Sequence, residues 1–214
     1  GSQDEPSQPE QAAQDTAAHQ QLWAQKLHTI HAGLTPVSPA VSAMATNYRW
    51  AQRRSEAPEE IAMGAPMRLR RNIELARQQL TRAAGRPPRD EALDEALTAY
   101  LEQLERTGEV FEGLRRYWRV DRRWKRPGGR ARQRALHKRF EISMPIYQRR
   151  HDRLFEALLD TNTAQLELHV RDASDERAAL AEFMLALQPL HRAALAERPG
   201  ELRRALARLR PRLE

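Results

Sequence analysis

The chain has no cysteine among its 214 residues. Disulfides, thiol nucleophiles and cysteine-ligated zinc are therefore excluded, while oxidising and reducing compartments both stay open. Aromatic residues make up only 6%, and valine and isoleucine are sparse beside alanine, leucine, arginine, glutamine and glutamate. Strands draw on β-branched and aromatic side chains, so this composition speaks for helix. No uncharged apolar run approaches the roughly 20 residues that cross a bilayer. There is no Walker-type glycine loop, dinucleotide fingerprint or nucleophile-elbow serine, and Gly128-Gly129 is too short to cradle a phosphate. These absences point away from catalysis and from a bound cofactor, and towards a protein that works by binding.

What is abundant is positive charge. The net charge is +7 and the isoelectric point about 10.4, and nearly all the cations are arginines, whose planar fork recognises carboxylates and phosphates. An acidic partner is the first expectation. The length suits one domain with a substantial core. Gly1-Ser2 has the form of a cloning scar, so any targeting segment could have been removed with the natural start.

Residues 1–17 are rich in Gln, Ser, Pro, Asp and Glu without a large apolar side chain, and read as a flexible leader. Residues 18–214 read as a single helical domain. Trp23, Leu27, Ile30, Leu34, Val37, Val41, Met44 and Tyr48 alternate in steps of four and three along one helix face. Pro36 and Pro39 predict a kink or break there, although the stripe keeps its phase. After a loop around Ser55 to Pro58, Leu69, Ile73, Ala76 and Leu80 mark a second helix, stopped by Gly85-Arg86-Pro87-Pro88. Asp90 is a good N-cap for a third, striped by Leu93, Leu97, Tyr100, Leu104, Thr107, Phe111, Leu114 and Trp118 and ending near Pro127-Gly128-Gly129. A fourth runs through Leu136, Phe140, Ser143, Tyr147, Arg150, Leu154, Leu158 and Thr161, with a bend at Pro145. Leu180, Phe183, Leu187 and Leu190 belong to a last long helix ending at Pro199-Gly200, and Leu202, Leu206, Leu209 and Leu213 to a short terminal one. The pattern predicts an all-α antiparallel bundle of about five helices.

The most informative segment is the basic run from Gly113 to Arg139, where Asp121 is the only acid. Arg115, Arg116, Arg119, Arg122, Arg123, Lys125, Arg126, Arg130 and Arg132, with Trp124 among them, are the expected partner-binding surface, a cluster of guanidinium groups for carboxylates or phosphates. The plainer alternative is a solvated face matched by acids on neighbouring helices. One acid cannot neutralise so many bases locally, and their repulsion has a stability cost. Interleaved aromatics also suit single-stranded nucleic acid, but Trp118 is in phase with the core stripe and no nucleic-acid motif accompanies the charge, so nucleic acid is the less favoured partner.

His28 and His31 have a spacing that can face a metal, but no third ligand is evident nearby, and a pair of surface histidines is the preferred reading. Asp90, Glu91, Asp94 and Glu95, and likewise Asp172, Asp175 and Glu176, stand at helix beginnings, where the helix dipole favours negative charge without any catalytic role.

Lys26-Leu27, followed about twenty residues later by Asn47-Tyr48-Arg49-Trp50, is similar to the lysine-led opening helix and aromatic helix ending of the YiiG-like family of bacterial helical lipoproteins of unknown function. The run from Ala99-Tyr100 through Leu104 to Tyr117-Trp118, Asp121 and Leu136-His137 resembles that family's tyrosine-bearing helix, paired aromatics, nearby aspartate and later histidine. The family usually has a second tyrosine where Trp118 stands, and a lysine-rich loop where this chain has arginine. The resemblance extends over about residues 20–160. It implies a periplasmic, lipid-anchored protein tethered by its leader, with Tyr48, Trp50, Tyr100, Tyr117, Trp118, Asp121 and His137 in structural roles and no catalytic or metal-binding residues.

Location and charge together lead to the expectation of a non-enzymatic envelope domain that binds an acidic protein. One form would be an immunity protein against a secreted antibacterial toxin. The alternative is a binding module for an anionic polymer, either nucleic acid or envelope lipid and polysaccharide.

Overall fold

Apolar residues recurring every three and four positions have to be covered, and five helices cover them in the computed structural model, which describes residues 8–54, 66–117, 127–172 and 175–195. They are α1 (Gln8–Arg54), α2 (Pro66–Ala84), α3 (Glu91–Arg115), α4 (Gly129–Asp172) and α5 (Asp175–Leu195). The fold is all-α, a helical bundle without strands among the described residues. Within the span expected to be one domain, contacts gather into two compact units, Ala24–His151 and Gly1–Trp23 with Asp152–Glu214. Helices α1 and α4 contribute to both.

In the Ala24–His151 unit the chain runs up and down. Gly33 lies against Leu80, and Asn72 reaches Pro36, so α1 and α2 are antiparallel. Gly108 meets Ile73 between α2 and α3, and Tyr100 meets Tyr147 while Gln103 meets Ser143 between α3 and α4. The core contains Ile30, Val37, Val41, Leu80, Leu93, Leu97, Leu104 and Phe140, all without solvent exposure. Burying such side chains contributes about 1.5–3 kcal/mol each against a large ordering cost.

The starts of α3 and α4 each have a local cause. Asp90 adopts the extended N-cap conformation and accepts a 3.0 Å hydrogen bond from the Leu93 amide, satisfying an amide that has no partner within the helix. At Gly128 φ is +79°, a conformation open to glycine, and its carbonyl accepts from the amides of Ala131 and Arg132 to begin α4.

Helix α1 begins at Gln8, within residues 1–17, where glutamine and alanine readily extend a helix already anchored downstream. It also continues through Pro36 and Pro39 without a break. Asn72 Nδ2 donates to the Pro36 carbonyl at 2.8 Å, and Gly33 lets α2 approach so closely that a Cβ there would stand 3.1 Å from Leu80. Tertiary packing thus holds a turn that two prolines weaken. The α3 range closes at Arg115, and residues 118–126, between it and the expected stop, lie outside the described residues. On α5 the buried positions among the described side chains are Ala181 and Gln188, while Leu180 is 61% exposed. Leu180 is therefore not a core residue, because α5 is apolar on several sides and its leucine spacing does not single out one face. Pro145 stands within a continuous α4. The expected loop around Ser55 to Pro58, the Pro199-Gly200 stop and the terminal leucine stripe lie outside the described residues.

A basic surface at the start of α4

The end of α3 neutralises part of its own charge. Glu112 receives a two-pronged bond from Arg115, Nε to Oε2 and Nη2 to Oε1, each 2.7 Å, and Arg116 Nε donates to Oε1 at 3.0 Å. The hydrogen bonds from Arg115, seconded by Arg116, hold the Glu112 carboxyl down to about 2 against the opposing effect of burial. The same contact raises the pKa of Arg115. Both arginines, expected to meet a partner, are thus matched within the chain, since Glu112 sits three and four residues before them, where side chains meet on a helix.

Tyr117 joins α3 to α4. Its ring is buried and its hydroxyl donates to the Gly129 carbonyl at 2.7 Å, while burial pushes its pKa upward. The residues between, Trp118, Arg119, Asp121, Arg122, Arg123, Trp124, Lys125 and Arg126, lie outside the described residues.

From Gly129 onward the surface is described again. Arg130 and Arg132 are exposed, as are Arg134, Lys138 and Arg139. None of the five has an ion pair among the described residues. Arg130, Arg134 and Lys138 follow one another at intervals of four and so share a helix face. The first turn of α4 holds no acid. Cations at this end oppose the helix dipole, and so cost stability until an anion approaches. Arg134, Lys138 and Arg139 also belong to the basic run, and the fourfold spacing from Arg130 points to Arg134 and Lys138.

Beneath this surface His137 is half-buried, with Nδ1 3.1 Å from the Tyr48 hydroxyl. Gln52 donates to that hydroxyl, also at 3.1 Å. Burial first, and then the Glu141 charge, push the Tyr48 pKa up to about 12 against the Gln52 hydrogen bond. The hydroxyl therefore keeps its proton, and it shares a hydrogen bond with His137 Nδ1. The Tyr48 ring packs on Phe140 at 4.4 Å between centroids, and Arg49 lies over the other residue's ring at 5.7 Å. Tyr100 is fully buried with its hydroxyl 3.2 Å from that of Tyr147, and desolvation raises its pKa despite that bond. Tyr48, Tyr100 and Tyr117 are thus buried and His137 half-buried. Trp50 lies on α1, with its side chain outside the described residues.

No protein-family model, curated protein or solved structure matches this chain.

Two polar features of the core were not anticipated. Lys26, rather than Leu27, faces inward. Its ammonium donates to the Arg86 and Pro88 carbonyls at 3.2 and 2.7 Å and to Asp94 Oδ1 at 2.7 Å. Asp94 is thus more than a dipole-compensating acid. The second feature joins α3 to α4, where Gln103 Nε2 donates to Ser143 Oγ at 3.0 Å and to its carbonyl at 3.2 Å, with Thr107 Oγ1 3.1 Å from Ser143 Oγ. Thr107 and Ser143 both occurred in the predicted stripes, so their inward direction was legible but their pairing was not. His28 and His31 are exposed, and no metal-holding group of three His, Asp or Glu converges among the described residues.

Proposed function

We propose that this domain works by binding an acidic protein partner through the start of α4, without transforming it. The observation that carries this reading is the row of exposed arginine and lysine side chains from Arg130 to Arg139, none of them in an ion pair among the described residues. Their charge is complementary to carboxylates, which would speed encounter and favour acidic surfaces over basic ones. Arg115 and Arg116, occupied by Glu112, take a secondary part. The resemblance to YiiG-like lipoproteins supplies the setting, a lipid-anchored domain facing the periplasm. In that setting a secreted antibacterial toxin is one acidic protein that an immunity protein of this charge would neutralise.

The test is affinity capture from an envelope extract with the wild-type chain and with an Arg130→Glu, Arg134→Glu, Lys138→Glu variant that retains its helical circular dichroism. A defined protein recovered with the wild type and lost with the variant supports the reading, and equal recovery with both overturns it. If the ligand is instead an anionic polymer, the logarithm of affinity falls steeply and linearly with the logarithm of salt and depends little on polymer sequence.

A further inference from the structure

Helices α2 and α3 lie side by side but carry opposite charge. On α2, Arg70, Arg71 and Arg82 are exposed and have no ion pair among the described residues, and Arg77 pairs with Glu74 on its own helix while also feeling the Glu105 charge on α3. On α3, Glu102, Glu105 and Glu109 are exposed and likewise lack ion pairs among the described residues. The groove between the helices has an apolar floor that includes half-buried Ile73 and the Gly108 backbone. Leu75 beside it is 39% exposed. This is one continuous face with a positive wall, a negative wall and a nonpolar seam.

We infer that this α2–α3 face is the contact between two copies of the chain. Charge selects the arrangement. A two-fold axis parallel to the helices lays α2 of each copy antiparallel across α3 of the other, whereas a perpendicular axis would set arginine on arginine and glutamate on glutamate. The Glu105 charge acts on Arg77 across the groove, and Arg70 and Glu112 line a second recess that excludes both, so these pairs share a level along the hairpin. The parallel axis keeps that level. It brings Arg70 and Arg71 to the stretch from Glu109 to Glu112 of the second copy and Arg77 to its Glu105, and each contact occurs twice, as an isologous interface requires. The 19 residues of α2 give a face about 28 Å long and about 20 Å wide, or about 550 Å² from each copy. Such an area is at the lower edge of specific interfaces, so the association is weak and depends on its charges.

The experiment is sedimentation velocity of the full chain over a wide concentration range, at about 0.05 M and about 0.5 M salt. The wild type dimerises with rising concentration at low salt and dissociates at high salt. An Arg70→Glu, Arg71→Glu variant and a Glu105→Arg, Glu109→Arg variant each associate about a hundredfold more weakly, and an equimolar mixture of the two restores a heterodimer. If either loses its helical circular dichroism, Arg71→Gln and Glu109→Gln take its place, and each must weaken association at low salt. A wild type that stays monomeric throughout overturns the inference, as does a dimer that these substitutions leave intact or a mixture that fails to associate.

Discussion

Lys26 and Asp94 form a 2.7 Å ion pair in which the lysine side chain is wholly closed to solvent. The ammonium also holds the two carbonyls that turn the chain from α2 into α3, so one side chain fixes α1, the turn and the first turn of α3. Arg89 Nε stands 3.0 Å from Asp94 Oδ2, yet that oxygen accepts no hydrogen bond. Arg89 is 69% exposed and supplies charge rather than a directed bond.

Lys26→Met keeps most of the stem and removes the charge, leaving a buried carboxylate and two carbonyls without their donor. Removing one member of a buried pair typically costs about 3–5 kcal/mol. The expected loss is at the lower end, about 3 kcal/mol, because Arg89 partly compensates. Lys26→Met with Asp94→Leu recovers most of it. Guanidinium unfolding of the two variants and the wild type measures both effects, and equal stabilities for the single and double variants would show that the carboxylate does not depend on its lysine.

Tyr48 gives a pH dependence on the alkaline side. Its pKa is raised to about 12 in the folded chain, against about 10 when unfolded. Between those values the unfolded chain gives up the proton and the folded chain keeps it. The stability contributed is therefore complete below pH about 10 and is lost as pH rises towards 12, by roughly 2–3 kcal/mol. Tyr48→Phe removes the titrating group, so its unfolding midpoint should fall less than that of the wild type over the same interval. Parallel curves would refute this origin.

Much of the fold was legible because its causes are local. The Asp90 cap needs only its own side chain and an amide three residues on, and glycine and proline punctuate α2 and α4 in the sequence itself. What escaped depends on distant partners. Nothing near Pro36 announces that Asn72 will support it, and nothing near Lys26 names Asp94. Yet Lys26 is in register with Trp23 and Ile30, and that was a usable sign of burial. At the basic surface, charge was legible and its state of pairing was not, although Glu112 stands at helical contact spacing from Arg115 and Arg116 and could have been read as their partner.

Glu112 yields a prediction on the acidic side. Its carboxyl is held at about 2, below the ordinary value of 4.5, chiefly by the hydrogen bonds from Arg115. A depressed carboxylate contributes stability above the unfolded value and loses it as pH falls through the folded one. The window is therefore about pH 4.5 to 2. Because Arg116 is 67% exposed and Arg115 27%, solvent screening reduces the contribution to about 1 kcal/mol. Glu112→Gln should show a correspondingly smaller loss on acidification. At neutral pH it also frees two guanidinium groups, so binding to an acidic partner should strengthen several-fold at low salt. A variant whose acid unfolding follows the wild type would show that the pair contributes nothing measurable.

The Gln103, Thr107 and Ser143 cluster tests whether buried polarity stabilises the bundle or selects its register. Gln103 satisfies Ser143 twice, and Thr107 reaches the same hydroxyl, so deleting one member strands the others. Gln103→Leu should cost about 1–2 kcal/mol, the usual consequence of an unsatisfied buried group. Replacing all three, Gln103→Leu, Thr107→Val and Ser143→Ala, removes the stranded groups together with their bonds and should come close to wild-type stability. Its cost should appear elsewhere, because an all-apolar α3–α4 seam has fewer contacts that hold only in one register. Hydrogen exchange is the discriminating measurement. Amides of α3 and α4 in the triple variant should exchange faster than in the wild type at equal global stability, and unchanged protection would assign the cluster to stability alone.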